Sequence, residues 1–508
     1  MLNPEEAIKK KLYGYQARAM GQIFDKLDSV PSDYNLLFQL PTGGGKTVIF
    51  SEIARRYILE TKKKVLILTH RIELCAQTSR MLIEFGVNNK VINSEVKEIE
   101  DQDQHTCYVA MVETLNNRFN HDGLELKDVG LVIIDEAHYN SFTKLFKHFS
   151  ECNILGVTAT PLSSNINLPM NEFYGELIVG ESIPNLVNEG FLAKATTFSY
   201  NVSLSSLRVG INGDYTVGSS EQLYTDLMMQ DKLLNAYRER SLGKKTLIFN
   251  NGINTSKYVY ENFVNAGFEI RHLDNTHSSK ERKEILDWFK NKPDAILTSV
   301  SILTTGFDEP TVDTIILNRA TRSLTLYYQM IGRGSRILGT KKNFNIIDLG
   351  NNLARFGLWN SELDWKDIFK NPELHLANIR TDTEIERHQV YRMPDDLKLK
   401  FPNTAKLEFD MELAYNSALD TGQRPKIAIE QCLSHHVDMC LKNSEELDDA
   451  LSLARLLEDD IKFRLRKYSY CICKSTKNYL AWLEDDYTIK LKRTINTEFR
   501  LIALSQVE

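Results

Sequence analysis

Two short stretches carry residue types at spacings that could break a phosphoanhydride. Residues 35–47 read NLLFQLPTGGGKT, and residues 131–138 read LVIIDEAH. In the first, an apolar run ends in three glycines, then Lys46 and Thr47, then the helical pattern VIFSEIARRYILE. Gly43, Gly44 and Gly45 allow dihedrals closed to other residues, so successive amides can turn toward one anion. The helix that follows adds the positive end of its dipole. Lys46 is placed to reach terminal phosphates, and the Thr47 hydroxyl to ligate Mg²⁺. Leu40 stands where the strict G-x-x-x-x-G-K-[ST] pattern has its first glycine. For this stretch alone, a plain glycine-rich turn is therefore the alternative.

In the second stretch two carboxylates stand at the tip of an apolar strand. Asp135 is held there for Mg²⁺, directly or through water. Glu136 can orient and deprotonate an attacking water. Acidic residues also simply end strands, but a phosphate loop upstream makes the pair the signature of a nucleoside triphosphatase. A third group, Gln329, Arg333 and Arg336, lies in QMIGRGSR. Guanidiniums stay charged and fork onto phosphate oxygens, so two of them three residues apart suit an arginine finger acting across a cleft. A solvated pair on a helix is the alternative.

Strand–helix alternation must position these groups. VLILTH reads as a buried parallel strand, with Thr69, His70, Arg71 and Gln77 at or beyond its C-terminal end, where α/β sheets place ligands. TCYVAM and NILGVT read as further strands, the latter running into Thr158, Ala159, Thr160 and Pro161. KKTLIFN, FEIRHLD, DAILTSV, VDTIILNRA and FNIIDLG repeat the pattern as a second parallel α/β domain without a phosphate loop of its own. Upstream, Gln16 in LYGYQ can read both edges of adenine through its amide; a polar helix-start residue is the bland reading.

Composition bounds the rest. At 508 residues, 42% hydrophobic and 26% charged, the chain is an ordinary globular one with about three domains. A net charge of -6 excludes a global basic field, so any nucleic-acid site is a local groove. No signal core and no membrane-length apolar run is seen, and seven cysteines read as reduced thiols, which together predict a cytoplasmic protein with no membrane partner. The expected division is 1–180, a first α/β domain; 181–240, a connector; 241–350, the second; and 351–508, mostly helical.

In order along the chain, LYGYQ, PTGGGKT, LTHRIELCAQ, VETLNNR, DEAH, TATP, ILTSVSILTTGFDEP and QMIGRGSRI resemble the motifs of superfamily 2 DEAD/DEAH-box helicases. The wording resembles the branch of RadD-like repair helicases, XPB-like helicases and restriction-enzyme motor subunits. The resemblance implies two tandem RecA-like parallel-sheet domains and an ATP-dependent motor on nucleic acid, DNA ahead of RNA, in repair, recombination or defence. It implies that Gln16 contacts adenine. Thr42, Gly43, Gly44, Gly45, Lys46, Thr47, Gly306 and Asp308 complete the ATP set, with Thr47 and Asp135 on Mg²⁺. Gln329, Arg333 and Arg336 approach the γ-phosphate, and Thr69, Arg71, Thr298 and Thr305 the nucleic-acid backbone. Tyr13 and Gly14 replace the family's usual Arg-Pro, and Glu113 its usual Gln. The implied partners are repair, recombination or restriction proteins. A duplex translocase that separates no strands, or an ATP-gated recruiting module, are the alternatives.

The C-terminal third reads as helical from Pro425. Cys432, His436 and Cys440 share one helical face and, with Cys471 and Cys473, could hold zinc, or they are apolar-face cysteines. Basic and aromatic residues interleave from Lys462 to Trp482, which suits single-stranded nucleic acid or an amphipathic helix equally. Asp396-Leu397-Lys398 has the look of half a nuclease site, a triplet frequent by chance.

Overall fold

The computed structural model describes residues 11–31, 33–93, 96, 102–165, 167–300, 303, 307–388, 391, 393–472 and 476–505. The chain divides into two units, Met1–Asp382 and Thr383–Glu508. The first holds two sheets. Strands β1 (Asn35–Gln39), β2 (Lys64–Thr69), β3 (Asn89–Ile92), β4 (Cys107–Met111), β5 (Val129–Asp135), β6 (Asn153–Thr158) and β7 (Glu176–Val179) lie in the order β3-β4-β2-β5-β6-β1-β7. Strands β8 (Lys194–Ser199), β9 (Thr246–Asn250), β10 (Ile270–Leu273), β11 (Ile296–Ser299), β12 (Thr314–Asn318) and β13 (Asn343–Asp348) lie in the order β10-β11-β9-β12-β13-β8. Every pairing between these strands is parallel. Parallel neighbours need helical crossovers that cover both faces, which is why β2, β5, β9 and β12 are unbroken apolar runs and almost wholly buried. The fold class is the expected one: tandem RecA-like parallel-sheet domains, then a mostly helical region.

Register brings the chemistry to one sheet end. Val157 of β6 is the partner of both Phe38 on β1 and Asp135 on β5. The loops after β1, β5 and β6 therefore emerge side by side. One element departs from expectation. Within 181–240, β8 pairs with β13 from Lys194 opposite Asn343 to Ser199 opposite Asp348. KATTFS is a polar edge strand, exposed at alternate positions, so it lacks the apolar run that marks its neighbours. Beyond β13, Trp359 packs edge-on against Phe344 and Trp365 against Tyr328, returning the chain onto the second domain.

The second unit is a helical bundle. Helices Met411–Asp420, Ile427–Lys442, Leu447–Leu456, Glu458–Cys471 and Lys477–Ser505 enclose a core that includes Cys432, Val437, Cys440, Leu465 and Tyr487. The basic and aromatic run is absorbed by this packing. Arg464 is buried beside Asp460, Tyr468 is buried, Lys462 pairs with Glu458 and the Tyr470 hydroxyl bonds Glu386. The amphipathic reading is thus the one the geometry supports. No cluster of three His, Cys, Asp or Glu able to hold a metal occurs among the described residues. Cys471 is half-buried, its thiol hydrogen-bonded to the Lys467 carbonyl, and Cys473 lies outside the described residues. In the Asp396 triplet, Lys398 pairs with Asp395 on the short helix Asp395–Lys398.

Candidate functional site

The loop after β1 turns through Gly43 (φ 87°) and Gly45 (φ 84°), backbone that side-chain-bearing residues rarely adopt. The Gly44 amide donates to the Pro41 carbonyl at 3.0 Å, closing the turn. The helix Lys46–Thr61 starts at once, so its unsatisfied first amides face the loop. Tyr15 and Gln16 brace the loop from outside. The Tyr15 hydroxyl donates to the Gly44 carbonyl at 2.8 Å, and the Gln16 amide to the same oxygen at 3.4 Å. Gln16 also accepts from the Tyr13 amide at 3.0 Å. This amide therefore spans the phosphate loop and its own helix start, and Tyr13 supplies an exposed ring tilted against Phe191 at 4.7 Å.

Lys46 Nζ stands 4.0 Å from Glu136 Oε1, and both side chains are buried. Asp135 Oδ1 accepts from the Glu136 amide at 3.0 Å, and Glu136 has φ 53°, a left-handed backbone unusual for its type. Burial and the adjacent Glu136 charge raise the Asp135 carboxyl above its ordinary range, opposed by Lys46. Burial would raise Glu136 as well, but Lys46, His138 and Arg333 outweigh it and hold that carboxyl low. Glu136 is thus the ionised member. The buried Glu136 Oε2 and Thr42 Oγ1 find no hydrogen-bond partner among the described residues. Two orphaned oxygens beside a lysine, a threonine hydroxyl and a second carboxylate are a donor set that fits a magnesium nucleotide.

His138 connects this pair to the rest of the cleft. Its Nδ1 lies 3.0 Å from Thr158 Oγ1, and its Nε2 lies 3.2 Å from the Gln329 amide nitrogen. An amide nitrogen only donates, so Nε2 accepts and Nδ1 carries the proton. Thr158 passes its own proton to the Thr160 carbonyl at 2.9 Å. Burial pushes the imidazole down to about 4, keeping it neutral. His138 was not assigned a role from sequence, although it lies two residues beyond Glu136 in LVIIDEAH.

From the second sheet, the helix Leu324–Ile331 delivers Gln329, and the turn after it delivers Arg333 and Arg336. A methyl group on Gly332 would lie 2.6 Å from Thr42 Cβ, and one on Gly43 would lie 3.9 Å from Arg336 Cγ. The two glycines let the domains close on the phosphate loop. Arg333 donates to the Phe307 carbonyl at 2.6 Å, and Arg336 pairs with Asp308. Burial pushes Arg333 down to about 10, still charged at neutral pH. A hydroxyl pair, Thr160 with Thr325 at 2.9 Å, also crosses the cleft.

The other sequence-derived positions divide. Arg71 lines a cleft of about 380 Å³ together with His138, Arg322 and Gln329. Thr69 and Thr298 are buried, which corrects their expected part in gripping a backbone. The Thr69 hydroxyl bonds the Arg71 carbonyl at 3.1 Å, and the Thr298 hydroxyl meets Asn250 and Ser256 at 2.9 Å each. Both side chains point into their sheet, where strand alternation sends every second residue. Glu113 pairs with Lys144 at 2.6 Å. Thr305 and Gly306 lie outside the described residues.

Comparison with known proteins agrees with this geometry. Residues 9–163 match the family of the type III restriction enzyme res subunit, and residues 228–338 match the helicase conserved C-terminal domain. A Saccharomyces cerevisiae protein named as a candidate ATP-dependent helicase, IRC3, is 30% identical over 333 residues, 61% of this chain and 47% of its own length. The Escherichia coli type I restriction enzyme EcoAI endonuclease subunit is 24% identical over 359 residues, 64% of this chain and 44% of that protein. The chain thus spans less than half the length of both relatives. A fragment of a candidate HsdR subunit of a type I restriction enzyme from Vibrio vulnificus YJ016 shares the fold, with TM-score 0.52 and 22% identity over 68% of this chain and 66% of that one. The chain belongs to the superfamily 2 helicases, in the branch that contains the restriction-enzyme motors, and carries the core of an ATP-dependent helicase.

Proposed function

We propose that this chain hydrolyses ATP to ADP and phosphate between its two sheets and couples hydrolysis to movement on DNA. The observation that carries the reading is the seating of the second sheet's turn on the phosphate loop, with Gly332 against Thr42 and the Arg336 stem over Gly43. Lys46 and the loop amides would hold phosphate, and Thr47 and Asp135 would hold Mg²⁺. The bound metal offsets charge on the triphosphate. Glu136 orients a water and takes its proton; its low, ionised state suits a base. Arg333 and Arg336 stabilise charge developing on the transferred group, and Gln329, through His138, reports closure to the first domain. Gln16 holds the loop and the adenine edge, while Asp308 keeps Arg336 aimed.

ATP gripped from both sides closes the cleft and hydrolysis releases it, so a strand held by both domains is moved stepwise. The grip is on phosphates and weakens with salt. DNA is favoured over RNA by the restriction-enzyme relative, as is a role in repair, recombination or defence in the cytoplasm. Among the described residues, no helix is long and apolar enough to cross a membrane. The test is steady-state ATP hydrolysis without polymer and with single-stranded DNA, duplex DNA or RNA, against Glu136→Gln. The expected result is stimulation by DNA that falls with salt and a ~10²–10⁴-fold loss in the variant. Equal hydrolysis with and without every polymer would count against a motor and for an ATP-gated recruiting module. The match to a restriction subunit over 64% of the chain also favours a second reading, a duplex translocase that separates no strands. Triplex displacement without fork opening would establish it.

A further inference from the structure

Between the two sheets' helices, residues 208–216 form a short hairpin that the nucleotide chemistry does not use. Val209 and Tyr215 bridge antiparallel, and the Gly210 amide donates to the Asp214 carbonyl at 2.8 Å. The turn passes through Gly213 at φ 79°. Its base is fixed to the second domain. Asp214 accepts from the Thr321 hydroxyl at 2.7 Å and the Arg322 amide at 2.8 Å, and lies 3.6 Å from the Arg319 guanidinium. The Tyr215 ring is buried, its hydroxyl held by Arg355 at 2.7 Å. Asn251, in the loop after β9, donates to the Tyr215 carbonyl at 3.4 Å.

At the end of this anchored hairpin Ile211 is 110% exposed, and Val209, two residues back on the same side of the strand, is 46% exposed. Single exposed apolar side chains are common and need no explanation. Ile211 differs because the backbone beneath it is pinned by a carboxylate to two backbone-linked partners, so it cannot fold back onto the domain. Asn212, Gly213 and Asp214, the residues next to it, line the same cleft as Arg71 and Arg322. A guanidinium from each domain beside an apolar tip combines phosphate contacts with a wedge. Proteins that unstack bases use that pairing.

We infer that Ile211, backed by Val209, is an apolar wedge that enters the base stack where a DNA duplex opens. The inference rests on the proposal that DNA is the track. The fork phosphates lie against Arg71 and Arg322, and Ile211 occupies the step that parts. Translocation on a single strand leaves the tip idle, whereas strand separation needs it.

The test compares wild type, Ile211→Ser and Ile211→Leu on a forked duplex and on single-stranded DNA. The wedge requires fork opening to fall about tenfold or more in Ile211→Ser, since unstacking a step costs a few kcal/mol. Single-strand-stimulated ATP hydrolysis stays within about twofold, and Ile211→Leu opens forks like wild type. Equal fork opening by Ile211→Ser would overturn the wedge. So would parallel loss of stimulated ATP hydrolysis, or a wild type that DNA stimulates but that opens no fork. A wild type that DNA fails to stimulate would instead overturn DNA as the track, a distinct failure.

Discussion

The molecule holds two buried polar clusters that look alike on paper and differ in how completely they are satisfied. In the cleft, Lys46, Asp135, Glu136, His138 and Arg333 meet, and two buried oxygens, Glu136 Oε2 and Thr42 Oγ1, lack hydrogen-bond partners among the described residues. In the helical unit, His436 lies between Tyr487 at 2.8 Å and Asp460 at 3.1 Å, and Tyr487 donates to Cys432 at 3.3 Å. Arg464 pairs with Asp460 and donates to the Leu407 carbonyl at 2.8 Å. That second network closes on itself. A closed network spends its hydrogen-bonding capacity on rigidity, whereas one with orphaned oxygens keeps capacity for a ligand. The difference separates a site from a staple without reference to motif.

Breaking each cluster should therefore hurt a different property. The largest effect is expected from Arg333→Ala, with a ~10³–10⁵-fold fall in kcat for ATP hydrolysis. Its thermal midpoint without nucleotide stays level or rises, because a buried guanidinium next to Arg336 is removed. A variant that loses stability as well as turnover would blur the contrast. Next, Asp460→Asn strands Arg464 in the core and should cost about 3–5 kcal/mol in denaturant unfolding of the C-terminal unit. ATP hydrolysis per folded molecule should hold; if it collapses, the second cluster is not merely structural.

The smallest effect sharpens the same point through pH. Burial pushes His436 down to about 4 from an ordinary 6.5. The folded unit keeps this ring neutral while the unfolded chain protonates it below 6.5, so stability is lost as pH falls from 6.5 toward 4. Between pH 7 and pH 5 the loss is about 2 kcal/mol, and His436→Gln should flatten that slope. An unchanged slope in the variant would place the proton elsewhere.

How much of this was legible before the coordinates follows from what each residue's role depends on. The phosphate loop, the Asp135–Glu136 pair and the arginines of QMIGRGSR are readable because their chemistry needs fixed local spacing. The parallel strands are readable because burial on both faces makes them apolar without interruption. Roles set by distant partners are not. Asp460 and Arg464 sit four apart, the spacing of an exposed helix pair, yet both are buried. His436 between Cys432 and Cys440 suggests a ligand, but Tyr487, 51 residues away, decides that it is a hydrogen-bond partner. Thr69 and Thr298 carry the right side chain for a phosphate, and only strand alternation shows that they face inward. His138 and its bond to Gln329 join residues 191 apart, beyond the reach of any spacing argument.

The sheet order also sets a timetable for synthesis. β1, which carries the phosphate loop, is flanked by β6 and β7, so the first strand described in the chain waits for partners that end at Val179. β8 waits longer still, since its sole neighbour β13 begins at Asn343. At about 5–20 residues per second, the roughly 140 intervening residues take about 7–30 s to emerge. For that interval the edge of β8 is unpaired, and its alternating Lys194, Thr196 and Ser199 keep it polar while it waits. The composition that hid this strand among its apolar neighbours is thus the composition that keeps it from sticking to other nascent chains.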